Sequence, residues 1–600
     1  MPVVLRELLA APELAAAAIG AEVSAWQPDT DRPFIVRRPG HLAIAPASLA
    51  DPLARMHLRH GLELAWLRTL PAMLPPVAGL LAARTAALFQ ADAAPDGAGM
   101  PEPARLEEMW HALAPLQGVP ASPLSGPMLA MLRVLWPLAG PVGHLLVAGG
   151  DERLAIDPAT GLNRYGCAAH PCPDITAFSS CTAAPISDAG YRAAELCRRR
   201  MLAAAAVGED GVAAESTSIA SGILDHYDVA DLADAVLAPS GTDATLLLMG
   251  LLATESPGAM IASILPGPSE TGSGVPAAAA GRHFSDSTAA GIAVMRESTV
   301  AGFPAGMRLV SIPLRAPDGT VRPAVEVNAA FRAAALAAAA QGRAVVHLID
   351  GSKTGLVAPS LEAATALAAH PGISVVVDAC QARLDAGRLR AYLARGWPVL
   401  LTGSKFFGGP PFSGAILCPR GRWAHAMPQP AGLADYAGGG NPGLALRWEA
   451  ARAEMHRFSA LPADRAAAHL DHLGKLAERL LTADSRLDLI PARHPADAGR
   501  AERRSVFSFR VRDPANAARF LSPAALRAVY RALAAKGYLI GQPVWLGADG
   551  GEIGALRVAF GARSVPESDS ISDPAAAAVA DGLRACVEAL GQVLDGLPAG

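Results

Sequence analysis

The sequence predicts an α/β protein built on a mainly parallel, seven-stranded-type sheet covered by helices, with a smaller C-terminal α/β domain and an N-terminal helical extension. Three observations predict it. Short apolar runs alternate with amphipathic stretches from about residue 190 to 440, the pattern of strands joined by crossover helices. Hydrophobic residues make up 51% of the chain and charged residues only 18%, so the chain buries cores and is not disordered. At roughly 150 residues per domain, 600 residues require more than one unit.

Residues 1–145 are rich in Ala, Leu and Pro with helical periodicity, as in Leu62–Leu67 and Leu80–Ala83, and they read as an accessory helical region. Residues 150–190 form a connecting arm. Ser187 and Asp188 can cap the helix that opens the large unit, residues 191–440. Its expected strands are Ala235–Ala238, Met260–Leu265, Leu309–Leu314, Ala344–Ile349, Ser374–Val377, Val399–Leu401 and Gly414–Leu417, with helices at Ala244–Leu252, Val325–Ala340 and Leu361–Ala369. The smaller unit, residues 441–600, opens with helices at Arg447–Leu461 and Ala466–Leu481. It continues through strands near Val506–Val511 and Leu556–Phe560 and helices at Pro523–Lys536 and Pro574–Leu594.

Charge and composition exclude several functions. Fifty-one basic against 55 acidic residues give a net charge of −4 with no basic block, which removes the electrostatic basis for nucleic-acid binding. Seven cysteines are too sparse for a disulfide scaffold. Cys167, His170 and Cys172 lack the fourth ligand of a metal site, so no metal is expected. Residues 128–150 are apolar but contain Arg133, Pro137, Pro141 and His144, a poor membrane span. Glu7 and Glu13 interrupt the N-terminal apolar stretch. The expectation is a soluble, cytoplasmic protein with no membrane partner.

Only four of the 51 basic residues are lysines: Lys353, Lys405, Lys475 and Lys536. Arginine cannot lose its proton in practice, whereas a buried lysine can become a neutral amine nucleophile. A lysine kept in this chain is therefore a candidate for chemistry, although Lys475 and Lys536, in helix-like stretches, read as ordinary surface residues.

Three segments carry the chemistry. Pro239-Ser240-Gly241-Thr242-Asp243-Ala244 joins a strand to a helix and exposes backbone N–H groups where a phosphate is stabilised. Val375-Val376-Val377-Asp378-Ala379-Cys380-Gln381 places a carboxylate at a strand end, where α/β sheets place ligand contacts. Thr402-Gly403-Ser404-Lys405-Phe406-Phe407-Gly408 sets a lysine among hydroxyls and aromatics, where partial desolvation would free the amine for Schiff-base formation.

In this order and spacing, the three resemble fold-type-I pyridoxal-phosphate enzymes, and among them the class V aminotransferase group that contains cysteine desulfurases and kynureninase. The resemblance covers roughly residues 155–565. It implies the PLP transferase fold and pyridoxal 5′-phosphate as cofactor, bound by Lys405 as the internal aldimine. Asp378 would pair with the pyridinium nitrogen, Gln381 would lie near the phenolic oxygen, and Ser240, Gly241, Thr242 and Ser404 would hold the phosphate. Thr271, in Ser269–Gly274, aligns with the ring-stacking residue, and His283 is a substitute for it. Ser352 stands where the group carries a cofactor-contacting Asn, with Lys353 beside it. Arg557 resembles the arginine that grips a substrate α-carboxylate, and Arg563 is its rival. Gly161–Gly166 and Ser179–Thr182 resemble the arm that reaches the active site. The resemblance also implies a homodimer with sites at the subunit interface, where Gly438–Asn441 lacks the usual threonine.

The expected function is an aminotransferase or lyase acting on a small-molecule α-amino acid, with Lys405 as proton shuttle. Between Cys418 and Arg557 there is no cysteine, which argues against a persulfide-forming desulfurase. The alternative is a catalytically inactive protein of the same fold that binds or regulates. A nucleotide enzyme fails on motif, because Ser240-Gly241-Thr242 has neither P-loop nor dinucleotide spacing.

Overall fold

The computed structural model describes residues 22–25, 34–38, 41–44, 74–90, 100–115, 119–304, 306–422, 431–490, 505–514, 516–546, 553–567 and 573–597. Its main sheet runs through Ala233–Ala238 (β1), Ile261–Pro266 (β2), Arg308–Ile312 (β3), Arg343–Asp350 (β4), Ile373–Asp378 (β5), Val399–Thr402 (β6) and Gly414–Pro419 (β7). The spatial order is β1-β7-β6-β5-β4-β2-β3, and the two-residue strand Val357–Ala358 adds an eighth member beside β4. From β3 to β6 every pairing is parallel. Only β7 runs against its neighbours β6 and β1.

The local sequence explains this sheet. Strands β2, β6 and β7 are buried at every residue, as strands of a parallel sheet covered on both faces must be. Each expected strand is found within two residues of its expected bounds. Crossover helices follow from caps and apolar stripes. Ser240 accepts from the Thr242 and Asp243 amides at the start of Gly241–Thr254, and Ser360 accepts from Ala363 N at the start of Leu361–Ala368.

The second sheet has the order Leu487–Leu489, Val506–Asp513, Gly554–Ala559, Tyr538–Trp545, Thr176–Phe178, with Asn516–Phe520 paired on Val506–Asp513. Its last strand comes from the arm. Thr176–Phe178 lies parallel to Tyr538–Ile540, which stitches residues 176–182 into the C-terminal unit.

In the N-terminal region, where helix is expected throughout, Glu22–Ala25, Phe34–Arg38 and His41–Ile44 form a three-stranded sheet. The β-branched and aromatic Phe34-Ile35-Val36 run suits a strand. Helices occupy Pro75–Gln90, Pro103–Leu113 and Gly126–Leu135, while Leu62–Leu67 lies outside the described residues. No helix among the described residues is long and apolar enough to cross a membrane.

Arg447, on helix Pro442–Ser459, fastens the segment after these helices to the main unit. It is fully buried and meets only carbonyls: its Nε donates to Phe412, Nη1 to Leu146 (3.0 Å) and Ala148 (2.6 Å), and Nη2 to Gly149 (3.0 Å). Asn441 caps the same helix and donates to Gly149 O at 2.8 Å. The loop at Gly438–Asn441 thus makes an intrachain contact.

Candidate active site

Six of the seven long strands point the same way, so their C-terminal ends share one edge of the sheet, the usual ligand edge of such folds. Ala238, Pro266, Asp350, Asp378 and Thr402 end there, and the segments singled out by sequence follow them.

After β1, the Ser240 hydroxyl accepts from the amides of Thr242 and Asp243, both at 3.2 Å, and donates to the Asp243 carboxylate. Gly241 lies against the loop after β5: a Cβ there would stand 2.7 Å from Cys380 Sγ and 3.3 Å from Thr402 Cγ2. Asp243 is buried in the first helical turn, and burial pushes its carboxyl up to about 7 against the Ser240 hydrogen bond and the Arg153 charge. Arg153 comes from the start of the arm. It pairs with Asp151 at 2.6 Å and lies over the Phe284 and Phe412 rings.

After β5, Asp378 Oδ1 accepts from Cys380 N at 3.0 Å. Burial, and then the Asp378 charge, push the Cys380 thiol well above its usual range. His347, on β4, is buried; burial holds its pKa down to about 4 against the attraction of Asp378, and its Nε2 has no hydrogen-bond partner. Gln381 is buried, with its amide donating to Cys181 O at 3.2 Å and its Oε1 unpartnered.

Beyond β6, Ser404 is buried and Lys405 half-buried. Phe406 O accepts from Ala562 N at 2.7 Å, which joins the lysine loop to the end of Gly554–Ala559. The loops after β2 and β3 share a buried ion pair, which the loop after β4 meets through hydroxyls. Glu270 Oε1 accepts from Arg315 Nε at 2.6 Å, and Glu270 Oε2 accepts from Ser352 Oγ at 2.6 Å. Thr354 Oγ1 accepts from Arg315 Nη2 at 2.7 Å. Thr271 is buried beside this pair with its Oγ1 unpartnered.

Arg557 is 3% exposed. Its Nη1 donates to Lys353 O at 3.2 Å and its Nη2 to Thr182 Oγ1 at 2.9 Å and Gln542 O at 2.7 Å, while its Nε has no partner. Lys353 Nζ donates to Pro268 O at 3.4 Å. Burial lowers the Lys353 amine to about 8; Arg557 and Lys405 push it the same way, and Glu270 opposes them.

Ser240, Gly241 and Thr242 follow β1, Thr271 β2, Ser352 β4, Gln381 β5, and Ser404 and Lys405 β6, with Asp378 ending β5, so these share this edge. Arg557 stands on the second sheet and reaches it through the Lys353 carbonyl. His283 hydrogen-bonds the Tyr436 hydroxyl through Nδ1. Arg563 is exposed and donates to Pro185 O. Sequence reading missed Arg315, His347 and Arg153. Arg315 pairs with Glu270, 45 residues away, while His347 and Arg153 act through charge on Asp378 and Asp243, 31 and 90 residues away, and no local motif marks them.

No family profile and no curated protein matches the chain. Solved structures do show similarity. Serine palmitoyltransferase of Sphingomonas wittichii matches at 14% identity and a TM-score of 0.43, covering 70% of this chain and 88% of that one. The cysteine desulfurase CsdA of Escherichia coli matches at 17% identity and 0.45, covering 71% and 96%. TDC of Oryza sativa, solved with PLP, matches at 15% and 0.43, covering 70% and 83%. At these values the site has to be read from its own residues.

Proposed function

We propose that the protein is a pyridoxal-5′-phosphate-dependent enzyme of the aminotransferase or lyase type, acting on an α-amino acid with the cofactor attached through Lys405. The observation that carries the reading is that a strand-end carboxylate, a half-buried lysine and a helix N-terminus stand at the ends of three strands, β5, β6 and β1, on one edge of the sheet. The fit is supported by three buried polar atoms with no partner: Gln381 Oε1, Thr271 Oγ1 and Arg557 Nε. Such atoms are costly unless a ligand satisfies them. The Gly241 contact supports it too, since the missing Cβ lets the turn close on the Asp378 loop.

When bound, the cofactor supplies an electron sink for the charge left by breaking a bond at Cα. Asp378 would accept from the ring N–H and favour the protonated nitrogen. Ser240, Gly241, Thr242 and Ser404 hold the phosphate, Gln381 the phenolic oxygen, and Thr271 covers the ring. Arg557 takes the substrate α-carboxylate with the donors its other contacts leave over, the Nε–H and the second Nη1–H. Lys405 would hold the cofactor, and its amine would serve as the base that moves the proton at Cα. Ser352 acts at one remove, because its hydroxyl is committed to Glu270.

A persulfide-forming route is disfavoured by the thiols themselves. Burial raises Cys418 and Cys586 to about 12 and Cys380 well above its usual range, and the thiolate is the nucleophilic form. The same reading takes residues 191–440 as the cofactor-binding domain, 441–600 as the small domain, 150–190 as the arm and 1–145 as an accessory region, in a cytoplasmic homodimer.

The test is the visible spectrum of the purified protein beside Lys405→Ala, before and after borohydride. A yellow band that borohydride fixes to Lys405, absent in the variant, is the expected result. A colourless protein that takes up no pyridoxal phosphate would overturn the reading and favour an inactive binding protein.

A further inference from the structure

We propose that Lys353 and Arg557 form a paired cationic receptor for an amino-acid substrate with a second acidic group, Arg557 taking the α-carboxylate and Lys353 the distal acid. The inference rests on the reading of the site as a pyridoxal-phosphate centre and names the class of substrate it takes.

Geometry joins the two cations. The Lys353 carbonyl accepts from Arg557 Nη1 at 3.2 Å, so the arginine is bonded to the backbone of the residue that carries the second charge. The Lys353 backbone is fixed in turn, because its N–H donates to Glu270 O at 3.0 Å. Its ammonium has only a long contact, 3.4 Å, to Pro268 O. An ammonium has three donors, so hydrogen-bonding capacity is left over on Lys353 Nζ. Arg557 likewise keeps a buried Nε with no partner.

Charge balance gives the ligand. Glu270 is near enough to Lys353 to affect its proton, but its carboxylate is spent on Arg315 at 2.6 Å, with both side chains 1% exposed. Among the described residues neither Lys353 nor Arg557 has a carboxylate within ion-pair distance. Lys405 would be committed to the cofactor on this reading, which would leave Lys353 and Arg557 as the cations available to a substrate. One α-carboxylate satisfies one of them. A second acid satisfies the other and offsets the Arg557 repulsion that, after burial, depresses the Lys353 amine. The composition agrees: in a chain with four lysines among 51 basic residues, one stands here. A compact point charge suits a distal acid of variable position better than a rigid fork.

The experiment is calorimetric titration of the pyridoxal-phosphate-loaded protein with succinate and, separately, butyrate, neither of which carries an amine. Wild type should bind succinate about tenfold or more tighter than butyrate, the worth of one charge-assisted contact. Lys353→Gln should erase the preference while leaving butyrate affinity unchanged, Lys353→Arg should keep part of it, and Arg557→Gln should weaken both acids. If Lys353→Gln does not fold, wild type alone decides. Its preference should be present at pH 7 and fade above pH 8 as the ammonium is lost among Arg557, Lys405, Glu270 and Arg315. Equal affinity for the two acids, a preference retained in Lys353→Gln, or one unmoved by pH overturns the proposal. The visible band, read on the same samples, separates the two failures: a band with no preference sinks the receptor alone. With no band the cofactor reading fails, and the same titration of the unloaded chain still decides whether the cation pair prefers a diacid.

Discussion

Gly241→Ala tests whether the phosphate turn and the Asp378 strand end are packed into one unit. Gly241 is the first residue of its helix and its φ is not left-handed, so alanine brings no backbone strain. Helix propensity alone would favour alanine, by up to about 1 kcal/mol in a helix interior and less at the first turn. Packing opposes it. The added Cβ would lie 2.7 Å from Cys380 Sγ, with Thr402 Cγ2 closing the other side at 3.3 Å. Ordinary contact is roughly 3.5–4.0 Å, so the loop behind Asp378 must move by close to an ångström. Overpacking of this kind costs about 1–3 kcal/mol. Removing the sulfur should restore most of the space, leaving Thr402 Cγ2 at 3.3 Å and Cys380 Cβ at 3.7 Å. The assay is a double-mutant cycle on wild type, Gly241→Ala, Cys380→Ala and the double variant. It reads pyridoxal-phosphate dissociation constants and thermal midpoints at one scan rate. The expected coupling is about 1–3 kcal/mol in favour of the double variant. Additive effects, or a neutral Gly241→Ala, would refute the reasoning, because then the turn does not bear on the Asp378 loop.

Two further outcomes follow from the buried charges around the edge. Glu270→Gln leaves Arg315 buried without its counter-charge, a loss of about 3–5 kcal/mol for a pair of this kind; a shifted denaturant midpoint that Glu270→Gln/Arg315→Met largely recovers is the expected result. Asp243 has a carboxyl raised to about 7 from an ordinary 3.8. The folded chain therefore holds that proton more tightly than the unfolded chain, and the stability this group contributes is lost as pH rises from about 4 to 7. Asp243→Asn should raise the thermal midpoint at pH 8 and leave it near wild type at pH 4; equal shifts at both values would count against the buried carboxylate.

The main sheet was legible because its strands are short, apolar and separated by capped helices, a pattern written in neighbouring residues. Ser240, Asp378 and Lys405 were legible for a related reason, since each sits just past a strand whose end the hydrophobic run marks. The strand Thr176–Phe178 was not legible. It is three residues long and has no partner nearby in sequence, since it pairs with Tyr538–Ile540 more than 350 residues away. Helical periodicity likewise gave no warning of Glu22–Ala25 and its two neighbours, which are four or five residues each.

Periodicity, caps and strand-end residues by themselves determined the order of the elements and which side chains follow each strand of the main sheet. Only the tertiary structure decided what those side chains meet. It brought Arg315 to Glu270, Arg557 to the Lys353 carbonyl and Thr182, and Gln381 to the Cys181 carbonyl. The physical reason is that capping and amphipathicity act over a turn or two of chain. Burial of a charge is instead settled by whichever partner the folded sheet carries to it, at any distance in sequence.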